Sequence, residues 1–282
     1  MEKNTALLDA MQRRVVIGDG AMGTMLQAED LTLDDFNNLE GCNEILNLTR
    51  PDVIQKIHRT YFEAGADAVE TNTFGCNVSN LADYDIQDKI FSLAFAGAQL
   101  ARGVADEMRP SADGTPRMVL GSLGPGTKII SLGHIDFESV RDAYQQSARG
   151  LIEGGADAIL IETCQDLLQV KAAVIAAKAA MQDVGRTLPI ITHVTLETNG
   201  AMLVGSDITA ALTSIEHLGI DMIGMNCATG PEEMSEHLRY LSQHSSVPVS
   251  VMPNAGLPVV GLNGAEYPLQ PEELADALTH FV

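Results

Sequence analysis

Gly219-Ile-Asp-Met-Ile-Gly-Met-Asn-Cys-Ala-Thr-Gly-Pro231 decides how the rest of this chain is read. A short apolar run ends in Asn226 and Cys227, and a Gly-Pro turn opens a helical pattern at Glu232, so the stretch reads as a buried parallel strand carrying a thiol to its carboxyl end. Two earlier stretches echo it: Gly65-Ala-Asp-Ala-Val-Glu-Thr-Asn72 and Gly155-Ala-Asp-Ala-Ile-Leu-Ile-Glu162. In each, a glycine ends a helix, an aspartate begins a strand, and a polar side chain (Asn72, Glu162 or Asn226) stands seven residues after the glycine.

Outward from these echoes, short apolar runs alternate with longer amphipathic ones. A first helix over 5–12 precedes Val15-Val16-Ile17, which reads as a strand leading into Gly18-Asp-Gly-Ala-Met-Gly-Thr24. Further strands are expected at 68–72, 118–121, 158–162, 189–194, 220–226 and 247–252, with helices over 51–64, 90–108, 137–153, 166–183, 207–217 and 232–243 and a last one from Glu272. Asp207 is an expected helix cap, Asp166 the start of its helix, and Pro51 the favoured first helical residue. Seven strand-then-helix units without a compositional break predict one α/β domain over 1–282. The architecture expected is a (β/α)8 barrel of TIM type, truncated before its eighth strand, with an open seam between the first and last strands. Barrel strands end at the catalytic mouth, so Asn72, Glu162 and Asn226 are expected to converge there; the alternative is that they merely face water.

Composition narrows the function classes. A net charge of −21, from 38 acidic against 17 basic residues, disfavours nucleic acid and anionic membrane surfaces as partners. No apolar stretch has the length of a signal core or a membrane span, which predicts a cytoplasmic protein. The four cysteines, Cys42, Cys76, Cys164 and Cys227, are widely spaced and read as reduced thiols. A lone cysteine is ordinarily a small apolar residue, so Cys227 gains meaning only from its place at a strand end. Gly18-x-Gly20-x-x-Gly23 imitates a dinucleotide fingerprint but is followed by an acidic loop instead of a second strand. Gly121 to Lys128 reverses the order a phosphate loop needs. His58, His217, His237 and His244 lack metal spacing on their helices, and His193 reads as a satisfied core residue. None of the six lysines closes a strand, which weakens an aldolase reading.

Gly18 to Thr24, Tyr61-Phe-Glu-Ala-Gly-Ala-Asp67, Glu70-Thr-Asn-Thr-Phe74, Leu160-Ile-Glu-Thr163, Asn226 to Pro231 and Pro253-Asn-Ala-Gly-Leu-Pro258 together resemble the homocysteine S-methyltransferase family. The closest resemblance is to its cobalamin-dependent branch, where a homocysteine-binding module works beside folate-binding and cobalamin-binding modules of one longer chain to make methionine. That implies a barrel holding a catalytic zinc through three cysteines, of which Cys227 matches the first. The adjacent Cys-Cys pair that supplies the other two in the family is absent, so this stretch is expected to lack zinc in the family's geometry and to be inactive alone.

What the resemblance implies fits the chemistry. Homocysteine's thiol is mostly protonated at neutral pH, and coordination to zinc makes it a thiolate. Cys227 is therefore the candidate catalytic and metal residue, with Asn254 a candidate oxygen donor or else a turn residue before Gly256. Glu162 and Asp19 are candidates for the substrate ammonium, Asp19 being otherwise an Asx-turn residue, and the N–H groups of Gly20, Ala21, Met22 and Gly23 for its carboxylate. Asn72 and Asn226 complete the substrate-binding set. The methyl donor implied is methylcobalamin on another module. Cys76, Cys164 and Cys227 could alternatively form a zinc site of their own, and Cys42 reads as incidental. A stand-alone methyltransferase using betaine or a methylsulfonium donor remains open, though a chain without tryptophan is poorly equipped for a quaternary-ammonium cage. So does a non-enzymatic amino-acid-binding or docking barrel.

Overall fold

A computed structural model of the protein describes residues 2–261 and 264–282. In chain order the elements are β1 (Glu2–Lys3), α1 (Ala6–Met11), α2 (Met22–Gln27), α3 (Leu46–Thr49), α4 (Pro51–Ala64), β2 (Ala68–Glu70), α5 (Val78–Ala82), α6 (Ile90–Glu107), β3 (Met118–Leu123), α7 (Phe137–Gly154), β4 (Ala158–Cys164), α8 (Leu167–Val184), β5 (Arg186–Thr187), β6 (Ile190–Val194), α9 (Ile208–Ile215), β7 (Met222–Asn226), α10 (Pro231–His244), β8 (Val249–Met252), the hairpin strands β9 (Val259–Gly261) and β10 (Gly264–Glu266), and α11 (Pro271–Thr279). Six strands form one parallel sheet in the order β2-β3-β4-β6-β7-β8. It curls into a half-barrel with helices outside, the TIM-type architecture left open.

Alternation along the strands sorts two cores. Ala68, Met118, Leu120, Ala158, Leu160, Ile191 and Met222 share one buried cluster inside the curl. Val69, Val119, Ile159, Ile161, Ile190, Val194, Ile223 and Met225 belong to the larger cluster under the helices. This is the period-two pattern of strands buried on both faces. Helix α1 inserts Leu7 and Ala10 into the inner cluster, and burying Leu7 there is worth about 2 kcal/mol. Among the described residues no helix is long and apolar enough to cross a membrane.

The repeated Gly-x-Asp has a physical explanation. Gly65, Gly155 and Gly219 end their helices at φ +115°, +102° and +67°, where a side chain would be strained. Each following aspartate hooks one residue of the neighbouring segment at two points. The Asp67 N–H donates to the Ile17 carbonyl at 2.8 Å while its carboxylate accepts the Ile17 N–H at 3.0 Å. Asp157 does the same with Val119 at 2.8 and 2.9 Å, and Asp221 with Ile190 at 2.9 Å for both contacts.

Ile17 thus occupies the place that Val119 and Ile190 hold in their strands, yet the strand expected at Val15-Val16-Ile17 is not part of the sheet. Two residues beyond the hook, the Asp19 carboxylate takes the Glu70 N–H that a strand carbonyl would accept. Side chains replace the ladder, and Val15 and Ile17 stay exposed. The long helices begin and end within about two residues of their sequence-based limits; Asp207 caps α9 as expected, and Asp166, expected as the start of its helix, is the cap of α8. The short helices α2, α3 and α5 match no sequence-based expectation, because six residues or fewer show too little of a 3.6-residue period.

Candidate functional site

The carboxyl ends of the sheet strands and the 18–23 turn meet at the mouth of the curl. The alternation that sends Ala68, Leu120, Leu160 and Met222 inward also sends Glu70, Ser122, Glu162 and Asn226 inward at the upper edge. Glu162 is buried, with Oε1 accepting from the Ser122 hydroxyl and Oε2 accepting from Asn226 Nδ2 at 3.0 Å. Asp19 is half-buried, both its oxygens accepting the Glu70 N–H at 3.1 and 3.0 Å.

Burial pushes all three carboxyls, Asp19, Glu70 and Glu162, above the usual range. The charge of Glu162 raises Asp19 further; those of Glu162 and Asp19 raise Glu70. Hydrogen bonds from Ser122, Thr163 and Asn226 oppose the rise at Glu162. Among the described residues no lysine or arginine neutralises any of the three. Tyr61, whose hydroxyl donates to the Ala21 carbonyl at 3.0 Å, is pushed up to about 12 by burial and by Asp19 and Glu70. Three carboxyls without a protein cation suit a ligand that brings its own positive charge.

The thiol stands on the same rim. Cys227 is exposed and sits at φ +62°, followed by Ala228 at +58°. Its N–H donates to the Met252 carbonyl at 3.1 Å, and the Asn254 N–H donates to the Thr229 carbonyl at 3.1 Å, so the turns after β7 and β8 are laced together. Cys227 and Asn254 therefore share one side of the mouth. Thr163, hydrogen-bonded to the Asn226 side chain, lies at φ +56°, which for a β-branched residue costs about 1–3 kcal/mol, at a break in the β4–β6 register.

Of the expected site residues, Asp19, Glu162, Asn226 and Cys227 lie around this mouth; of the expected Gly20 to Gly23 turn, Gly20 and Ala21 lead into α2, and Met22 and Gly23 are its first two residues. The amide of Asn72 turns aside: its Nδ2 donates to the Asn43 carbonyl at 2.8 Å and to Asn47 Oδ1 at 3.1 Å, pinning the first long loop. Cys76 and Cys164 are buried in the helix-facing core, and burial raises both thiols, with Glu44 adding at Cys76 and Glu162 at Cys164. Among the described residues no three His, Cys, Asp or Glu side chains are arranged to hold a metal, so the alternative Cys76–Cys164–Cys227 site does not form. One exposed thiol and a neighbouring amide fall short of the three cysteines that the resemblance implies for the zinc, and this stretch by itself does not fit the metal. His193 is a core residue as read, but not a satisfied one, since neither ring nitrogen has a partner among the described residues. Sequence reasoning missed Glu70, Ser122, Thr163 and Tyr61. For Glu70 a signal existed: it follows Ala68 by two and so shares its inward face.

The homocysteine S-methyltransferase family model matches residues 16–282. The chain is 65% identical over 282 residues to a methionine synthase of Mycobacterium tuberculosis (strain ATCC 25618 / H37Rv) and 64% identical to one of Mycobacterium leprae (strain TN). Each match covers 99% of this chain but 23% of the relative, so the chain spans under a quarter of their length. Among solved structures, the metallated homocysteine methyltransferase MmuM from Escherichia coli superposes with a TM-score of 0.72 at 19% identity, covering 89% of this chain and 88% of that one. Its apo form gives 0.66 at 20% identity, covering 88% and 84%. At such identities the likeness speaks to the fold.

Proposed function

The chain belongs to the homocysteine S-methyltransferase family, and we propose that it is the homocysteine-binding module of a methionine synthase. In this reading homocysteine lies across the mouth, its ammonium among Asp19, Glu70 and Glu162 and its sulfur at the Cys227 side. The observation that carries it is the trio of converging carboxyls, Glu162 buried and Asp19 and Glu70 half-buried, which no lysine or arginine among the described residues balances. An ammonium entering there holds the carboxylates ionised and removes their mutual repulsion, so binding is strongest for a cationic amino acid head. Ser122 and Asn226 keep Glu162 aimed at it. The substrate carboxylate at Gly20 to Gly23 is part of the same proposal, as are a cytoplasmic location, the folate-binding and cobalamin-binding modules as partners, and methylcobalamin as donor.

Zinc, in this proposal, takes Cys227 as one ligand and would supply the thiolate form of homocysteine. The described residues do not complete its coordination, and Asn254 is proposed only as a neighbouring oxygen donor. Residues 1–282 alone are proposed to retain no zinc in the family's geometry and to lack methyl transfer.

Titration calorimetry of the intact protein with homocysteine tests the reading. Glu162→Gln keeps the shape and removes the charge, and is expected to weaken binding by about 1–3 kcal/mol, the range for losing a hydrogen bond to a charged group. Unchanged affinity would take Glu162 out of the site.

A further inference from the structure

Asn226 commits its whole amide to the protein. Its Oδ1 accepts the Thr163 N–H at 2.8 Å, and its Nδ2 donates to Glu162 Oε2 at 3.0 Å and Thr163 Oγ1 at 2.8 Å. Both amide hydrogens are used and the oxygen is engaged, so the side chain works between elements instead of facing a ligand. On one side it holds Thr163, in a conformation that threonine rarely adopts, directly after the ammonium-binding carboxylate. On the other, the very next residue is Cys227, whose left-handed turn is fixed by the bond to the Met252 carbonyl.

We propose that Asn226 is a positioning residue that fixes the span between the Cys227 turn and Glu162, and so sets the length of thiol amino acid the site accepts. This rests on the homocysteine reading above. Homocysteine and cysteine carry the same two anchoring groups, thiol and ammonium, and differ by one methylene between them. Two anchors held at a fixed separation discriminate by length, whereas anchors free to shift accept both. A single methylene is worth about 10–200-fold in a well-formed site. Ser122 cannot serve this purpose, because it holds Glu162 from β3 and has no link to the Cys227 turn.

The test compares homocysteine and cysteine affinities by calorimetry on the intact protein, in the parent, Asn226→Ala, Asn226→Asp, Thr163→Val and Thr163→Ser. The parent is expected to prefer homocysteine by at least about tenfold; in both Asn226 variants the ratio falls to within about threefold, chiefly through loss of homocysteine. Thr163→Val, which removes the hydroxyl and keeps the volume, lowers the ratio partway, and Thr163→Ser restores it. A residue that only supported the fold would weaken both ligands alike. Equal loss for both amino acids, or an unchanged ratio in folded Asn226 variants, overturns the positioning role. Should Asn226→Ala fail to fold, the near-isosteric Asn226→Asp and Thr163→Val decide the matter on the same ratio. A parent that binds no homocysteine removes the proposed function and this inference together, an outcome distinct from a parent that binds it while the variants keep its preference.

Discussion

Glu70 sits at the end of β2 with its N–H given to Asp19 and its carboxyl raised by burial and then by Glu162 and Asp19. Among the described residues no hydrogen bond offsets that rise, unlike at Glu162. Such a group serves a ligand at the expense of the empty fold. Glu70→Gln removes one of three repelling charges and keeps the volume. We expect it to raise stability at pH 7.5 by about 0.5–2 kcal/mol, measured by urea unfolding, while weakening homocysteine binding in calorimetry. Loss of both stability and affinity would show Glu70 to be a structural group. The aspartates of the three echoes illustrate the opposite case: Asp67, Asp157 and Asp221 bind backbone on both of their sides and serve the fold.

At the scale of elements, α6 and α7 meet through glycine. A Cβ at Gly150 would stand 2.6 Å from the Phe91 carbonyl oxygen and 2.9 Å from the Ala94 Cβ, and one at Gly154 would stand 2.6 Å from the Phe95 carbonyl oxygen. The residues are four apart on α7, so one face of it rests on the backbone of α6. Gly150→Ala should gain about 1 kcal/mol of helix propensity. Overpacking against an unyielding backbone costs about 1–3 kcal/mol, so the variant is expected to be less stable, with a lower urea midpoint and an unchanged slope. The proposed site depends on this packing only indirectly, through the seating of β3, which contacts both helices.

For the molecule as a whole, buried acids and buried histidines set opposing slopes of stability with pH. Asp19, Glu70 and Glu162 have folded pKa values above their ordinary 3.8 to 4.5, so the native state holds protons that the unfolded chain releases. Their contribution is fully present below that range and drains away as pH rises towards the folded values. His58 and His193 are lowered by burial from 6.5 to about 4 and about 3, so the native state refuses protons that the unfolded chain takes up. Their contribution is present above 6.5 and is lost as pH falls towards those values. For these groups the two slopes oppose one another between about pH 4.5 and 6.5, so the thermal midpoint is expected to vary less with pH in that window than either set alone would make it. His58→Leu should flatten the acid limb and leave the alkaline limb in place, a comparison that thermal unfolding across pH 3.5–9 makes directly.

The sequence by itself determined the alternation of strands and helices, the helix caps, the Gly-x-Asp echo and the arrival of Glu162, Asn226 and Cys227 at strand ends. These are local consequences of period, cap chemistry and glycine backbone freedom, which a linear chain already displays. Only the tertiary structure decided that Val15-Val16-Ile17 is tied to β2 by the carboxylates of Asp67 and Asp19, that the amide of Asn72 turns towards Asn43 and Asn47, and that Cys76 and Cys164 face the helices. It also assembled Asp19, Glu70 and Glu162, which lie on three different segments, into one acidic mouth. The reason is distance along the chain: partners some 50 to 140 residues apart leave no mark in local pattern, because which carboxylates meet is set by strand order, register and the curl of the sheet.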